Sequence, residues 1–143
     1  MQVKVMRGLP GSGKSFWAWQ LFGKNGDFVS TDSYFTDPVT NEYRFDPTKL
    51  GEYHDRCFRE FIELLRERAP LVVVDNTNLK VFEIAPYVRV AQVMGYGVEI
   101  IHVLADPQKC IEMNTHGVPA NTILQMQAEP LPYWWPVRTI MNV

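Results

Sequence analysis

Short apolar runs alternate with stretches of helical periodicity along the whole chain. Gln2-Val3-Lys4-Val5-Met6-Arg7 reads as a first strand, and a helix starts at Ser15 and continues to about Phe22. Gly23-Lys24-Asn25-Gly26-Asp27 is a turn, followed by a short strand, Phe28-Val29-Ser30, that ends at Thr31-Asp32. Residues 35–46 are polar and aromatic, with turn signals at Asp37-Pro38 and Thr40-Asn41, and fit a hairpin or a lid-like loop. Asp46-Pro47 then opens a helix, with Asp46 as N-cap and Pro47 at the first helical position. Leu50, Tyr53, Cys57, Phe61, Leu64 and Leu65 recur on it at helical spacing, and it stops before Pro70. Leu71-Val72-Val73-Val74 is a continuous apolar run, the mark of a strand buried on both faces. It ends at Asp75-Asn76-Thr77-Asn78. A helix follows from about Val81 to Met94, then a strand over Val98–Leu104. Asp106-Pro107 starts another helix, broken near Gly117-Val118-Pro119, and a last helix runs from about Ala120 to Ala128.

Strands alternating with helices predict an α/β domain: three layers, with a parallel sheet of about four strands flanked by helices. Right-handed crossovers bring every strand's C-terminal end to one edge, where such sheets bind ligands. Residues 8–15, Asp32 and Asp75 all fall at that edge, so three separated stretches of sequence converge there.

The first of these stretches, Gly8-Leu9-Pro10-Gly11-Ser12-Gly13-Lys14-Ser15, reads G-x-x-x-x-G-K-S, a phosphate-binding P-loop in the strand–loop–helix context the motif requires. Leu9, Pro10, Gly11, Ser12 and Gly13 supply a loop whose backbone N–H groups can face an anion at close range. Lys14 would reach the β- and γ-phosphates of ATP, and the Ser15 hydroxyl would ligate Mg²⁺. Asp75 follows four apolar residues, the Walker-B pattern, and is the expected metal partner of Ser15. Asp32 suits a general base that takes a proton from an acceptor hydroxyl, although Thr-Asp-Ser is also turn-capping chemistry. Asn76, Thr77 and Asn78 offer uncharged groups that could orient an acceptor or cap the next helix.

Composition narrows the classes. The chain has 143 residues, 46% hydrophobic and 21% charged, which fits one domain over 1–143. A net charge of −2 argues against a broad basic groove for duplex nucleic acid. The two cysteines, Cys57 and Cys110, have no metal spacing and read as reduced thiols in a cytoplasmic protein. No apolar run approaches the ~20 residues of a membrane span, and the N-terminal stretch is not a secretory signal. Trp17 and Trp19 are expected in the core. Tyr133-Trp134-Trp135-Pro136 would pack a tail onto the domain or stack on a base.

Taken together, Gly8–Ser15, Ser30-Thr31-Asp32-Ser33-Tyr34-Phe35, Val74-Asp75-Asn76-Thr77-Asn78-Leu79 and His116-Gly117-Val118-Pro119 resemble the polynucleotide-kinase-like P-loop kinases, in the family's order and over nearly the whole chain. The resemblance implies that Lys14 and Ser15 bind ATP and Mg²⁺, that Asp32 is the base for the attacking hydroxyl, and that Asp75 lies beside metal and acceptor. It implies a helical lid over about 106–119. The expected acceptor is the 5′-hydroxyl of single-stranded or end-exposed DNA or RNA. A small-molecule kinase for a nucleoside, sugar or metabolite, and a nucleotide-binding module with weak turnover, are the competing readings. Two positions depart from the family. Ser33-Tyr34-Phe35 stands where phage-type enzymes carry an acceptor-side arginine, and Met113 stands before Asn114 where relatives carry a lid arginine. Such an arginine can be worth several powers of ten in rate. Lys109, His116, Arg44 and Arg138 are the cations that could replace it. His116 is equally readable as a structural helix-end residue.

Overall fold

The computed structural model describes residues 1–142. In chain order the elements are β1 (Gln2–Arg7), α1 (Lys14–Phe22), β2 (Asp27–Val29), α2 (Asp32–Phe35), α3 (Leu50–Arg66), β3 (Leu71–Asp75), α4 (Val81–Val93), β4 (Gly97–Leu104), α5 (Pro107–Met113), α6 (Ala120–Gln125) and β5 (Val137–Met141). The strands form one sheet in the order β2-β3-β1-β4-β5, and every neighbouring pair is parallel. Placing β1 in the middle brings the loop after it to the centre of the ligand edge.

Alternation along the strands builds two cores. Val3, Val5, Val72, Val74 and Ile100 face α3 and α4, meeting Cys57, Phe61, Leu65, Ile84 and Val88. Met6, Val73, Ile101 and Val103 face the other way, onto Ala18 of α1. The result is the expected three-layer arrangement, with five strands where the sequence pattern suggested about four. The additional one, Val137-Arg138-Thr139-Ile140-Met141, lies at the sheet edge and is largely exposed. An edge strand of this kind buries too little to leave a hydrophobic signature. Its mixed β-branched and polar residues were the available signal. Trp19 also departs from expectation. It is 64% exposed and stacks on Phe28 at 5.2 Å, while Trp17 is half-buried against the α1-side core.

Two start signals hold. Asp46 accepts from the Thr48 N–H at 2.9 Å and caps a 3-10 turn, Pro47–Lys49, that leads into α3. Asp106 accepts from the Gln108 N–H at 2.8 Å and caps α5. The segment after α2 folds back as a narrow hairpin, bridged between Thr36 and Tyr43. Phe35 anchors it, with Phe45 and Tyr53 packed at 5.1 and 4.7 Å.

Arg7, the last residue of β1, is 3% exposed. Its guanidinium donates to the carbonyls of Asn78 (2.9 Å), Leu79 (2.8 Å) and Glu129. Burial lowers its pKa, opposed by the charges of Glu129 and Glu83. This one side chain ties β1 to the β3–α4 turn and to the segment after α6. Arg7→Met keeps most of the volume but strands buried carbonyls. Urea unfolding should report a loss of about 2–4 kcal/mol. A loss below about 1 kcal/mol would mean that water reaches these carbonyls and that the residue is not a structural tie.

Candidate active site

The loop between β1 and α1 is held from several directions. The Gly8 N–H donates to the Thr77 carbonyl at 3.0 Å, and the Ser12 N–H to Leu9 at 3.0 Å. Gly11 has φ +79°, and a Cβ there would collide with the Cys110 carbonyl, so the backbone of α5 lies directly on the loop. Gly13 has φ +93°, and a Cβ there would collide with the side chain of Asn142. That amide donates to the Ser12 carbonyl at 2.8 Å, while the Asn142 N–H donates to Leu104 at 2.8 Å. The left-handed turns, the absent Cβ atoms and the start of α1 together give the loop the shape an anion cradle requires. Pro10 is buried and Leu9 half-buried on the loop's flank. Lys14 opens α1, half-buried, and has no carboxylate at ion-pair distance among the described residues.

Two carboxylates stand at the same edge in different surroundings. Asp75 ends β3 directly opposite Met6 of β1. The Ser15 hydroxyl donates to its Oδ2 at 2.7 Å, and its Oδ1 is buried without a hydrogen-bond partner. An open, buried carboxylate oxygen beside a serine hydroxyl suits a hard, oxygen-preferring cation. Among the described residues no three His, Cys, Asp or Glu side chains group into a metal cage. Mg²⁺ fits such a set, because it commonly binds through one or two carboxylates plus water and phosphate oxygens.

Asp32 opens α2, and its side chain is 39% exposed. The Tyr43 hydroxyl donates to its Oδ1 at 3.4 Å, and His116 Nδ1 lies 3.5 Å from its Oδ2. The Tyr43 and His116 rings stack, 4.2 Å between centroids and 19° between planes. Burial, and then the charge of Asp32, push the Tyr43 phenol up to about 12, so it remains a donor at working pH. His116 reaches this position because Asn114 shapes the turn after α5. Its Nδ2 donates to the Val118 carbonyl at 2.7 Å, and its Oδ1 accepts from the His116 N–H at 3.1 Å.

The cations expected to stand in for a lid arginine separate clearly. His116 arrives beside Asp32. Lys109 lies half-buried on α5. Arg44 pairs with Glu42 at 3.0 Å, and Arg138 with Glu99 at 3.1 Å. Met113 is 60% exposed. Tyr133 and Trp134 point outward, 94% and 70% exposed, while Trp135 packs against the core.

The three residues after β3, Asn76, Thr77 and Asn78, make bonds within the fold. Asn76 and Asn78 are 6% and 2% exposed. Asn76 Oδ1 accepts from the N–H and the hydroxyl of Thr31, at 2.9 and 3.1 Å. Asn78, at φ +50°, donates to the Met6 carbonyl at 2.8 Å. Thr77 accepts from Gly8 through its own carbonyl. The reason is local. Where a parallel ladder stops, buried backbone groups lose their partners, and side-chain amides take over. Both asparagine side chains therefore hold strand ends instead of facing outward to an acceptor. Sequence reading missed Tyr43 and Asn142. Tyr43 carried a weak signal, an aromatic beside a turn, and Asn142 carried none.

The AAA domain family profile matches residues 3–123. NEDD4-binding protein 2 of Homo sapiens is 35% identical over 130 residues, which is 85% of this chain and 7% of that protein. YLP motif-containing protein 1 of Homo sapiens is 27% identical over 139 residues, 80% of this chain and 6% of that protein. The chain thus spans less than a tenth of the length of either human relative. Among solved structures, a chain of the Pnkp1/Rnl/Hen1 RNA repair complex aligns with TM-score 0.66 and 16% identity, over 87% of this chain and 42% of its own. Mycobacterium tuberculosis APS kinase CysC, in complex with AMPPNP and APS, aligns with TM-score 0.64 and 18% identity over 98% and 87%. Chaetomium thermophilum Kti12, in complex with ADP-AlF3, aligns with TM-score 0.66 and 14% identity over 98% and 88%. What these structures share with the chain is the three-layer α/β fold around a parallel sheet. No described helix is long and apolar enough to cross a membrane.

Proposed function

The chain belongs to the AAA domain family and has a P-loop kinase-like domain, and from that premise we propose that it transfers the γ-phosphoryl group of ATP to a hydroxyl, with the 5′-hydroxyl of DNA or RNA as acceptor. The observation that carries this reading is the division between two carboxylates at one sheet edge. Asp75 is tied to Ser15 and keeps one buried oxygen open. Asp32 is partly exposed, and its contacts are long enough for an incoming hydroxyl to replace. Pairs of carboxylates in such different surroundings commonly divide a reaction between them. Likeness to a chain of an RNA repair complex supports a nucleic-acid end as acceptor.

In this reading residues 1–143 act as one kinase domain with a lid over about 106–119. The backbone of Leu9, Pro10, Gly11, Ser12 and Gly13, with the Lys14 ammonium, holds the phosphates. Ser15 and Asp75 would hold Mg²⁺, which when bound neutralises charge on the phosphoryl oxygens. Asp32 takes the proton of the acceptor hydroxyl as its oxygen bonds to the γ-phosphorus. The bond from that phosphorus to the bridging oxygen breaks, and ADP leaves. Tyr43 and His116 hold the two oxygens of Asp32 before the acceptor arrives, so the base is oriented in advance.

The test is incubation with γ-labelled ATP and Mg²⁺ against 5′-hydroxyl DNA, 5′-hydroxyl RNA, nucleosides and sugars. Label should appear on an oligonucleotide, vanish with EDTA and return with Mg²⁺ or Mn²⁺. Asp75→Ala should raise the metal concentration required, and unaltered metal dependence would remove Asp75 from the metal site. Label on a nucleoside or sugar alone would move the acceptor to small molecules. Label in free phosphate alone would leave a nucleotide-binding module.

A further inference from the structure

We propose that Asn76 is a positioning residue for Asp32, acting through Thr31, and that the end of β3 thereby sets the metal-side carboxylate and the base as one unit. This rests on the assignment of Asp32 as base. β2 is three residues long, and its ladder with β3 ends at Val29 opposite Val74. Between that point and the Thr36–Tyr43 bridge no strand pairing is described, yet Thr31 is 8% exposed, so its polar groups need partners. Asn76 supplies them. Its Oδ1 accepts both the backbone N–H and the hydroxyl of Thr31. The side chain of Asn76 thus continues the ladder past its last backbone rung.

The helix that begins at Asp32 cannot orient itself. α2 has four residues, far below the length at which a helix is stable alone. Its N-cap, Thr31, makes no side-chain bond to that helix; its hydroxyl donates to Asn76 instead. The backbone that carries Asp32 is thus fixed by a bond made from the neighbouring strand, beside the contacts that Tyr43 and His116 make to its carboxylate.

The amide of Asn76 can sit only one way round. Thr31 N–H requires an acceptor, so Oδ1 faces it and Nδ2 faces away. Nδ2 lies 3.7 Å from the Sγ of Cys57, which also accepts from the Tyr87 hydroxyl at 3.5 Å. Cys57 is fully buried on α3, and burial pushes its thiol up, so it stays a neutral acceptor. A chain of contacts from α4 through α3 and β3 therefore ends at the residue before Asp32. Asp75 and Asn76 are consecutive, so one strand end serves both carboxylates.

Asn76→Ala and Thr31→Val test this. Label transfer from γ-labelled ATP is measured on a 5′-hydroxyl oligonucleotide or a nucleoside, whichever the unaltered chain labels; label on neither would overturn the proposal together with the base assignment it rests on. ATP affinity is measured by calorimetry. Asn76→Ala should lower the maximal rate by about 10- to 100-fold with ATP affinity within about twofold, as expected for a misaligned reacting group. Thr31→Val keeps the backbone bond and should give a smaller loss of the same kind. The double variant Asn76→Ala with Asp32→Asn should be no slower than Asp32→Asn alone. Multiplying losses would overturn the proposal, as would an unchanged rate in both single variants or a parallel loss of ATP affinity. If Asp32→Asn itself keeps full transfer, the base assignment fails instead. If Asp32→Asn is slow and Asn76→Ala is not, only the present proposal fails.

Discussion

Asp32→Asn should slow phosphoryl transfer by about 10²–10⁴-fold while ATP binds nearly as before. The substitution keeps size and shape. The amide oxygen can still accept from Tyr43, whose hydroxyl reaches Oδ1 at 3.4 Å. What disappears is the ionised oxygen beside His116. The hairpin and α2 are anchored through Phe35, which is 6% exposed, and through Thr31, so the local fold should survive. A base acts on the acceptor, so loss should appear in transfer more than in ATP hydrolysis, where water needs no anchored partner. Calorimetry for ATP beside single-turnover transfer separates these effects. Full transfer would make Asp32 a turn residue. Lost ATP binding would place it in the metal–nucleotide site.

Lys14→Met should lower transfer by at least about 10²-fold and weaken ATP binding, the scale seen when a preorganised charge-stabilising group is removed. Lys14 heads α1 and has no carboxylate partner at ion-pair distance among the described residues, so its ammonium is free for an external anion. Met fills similar space on a half-buried site. Stability by urea unfolding should change by less than about 1 kcal/mol. Unaltered binding and turnover would remove the loop from the nucleotide site. Unfolding with lost activity would instead make Lys14 a structural residue.

The parts of this molecule legible in sequence are those written locally. Gly8 to Ser15 carries its own geometry, because glycines at positive φ and a following helix are short-range facts. Asp75 was legible because the buried run Val72-Val73-Val74 announces its strand end. Asp32 was visible by position, at the end of a strand too short to be certain from pattern alone. The illegible parts depend on distant partners. Asn76 and Asn78 read equally well as acceptor groups or as caps of the next helix. What decides is that Thr31 and Met6, far apart in sequence, lie beside them. The stack of Tyr43 on His116 joins the hairpin to the turn after α5 across more than seventy residues of chain. β5 escaped because an edge strand needs pairing partners more than apolar bulk.

The bond from Asn142 to the Ser12 carbonyl couples the rim of the sheet to its centre. β5 pairs with β4 alone, and strands at an edge are the first to peel away in local opening. Each such excursion withdraws the side chain that packs against Gly13, and the loop loses a wall of its cradle. Mass action runs the same bond backwards: whatever anion settles in the loop favours the closed form and quiets the rim. If the loop takes up nucleotide as proposed, occupancy and fraying of the last strand become two faces of one equilibrium, and amide exchange along this strand would gauge the loop's filling.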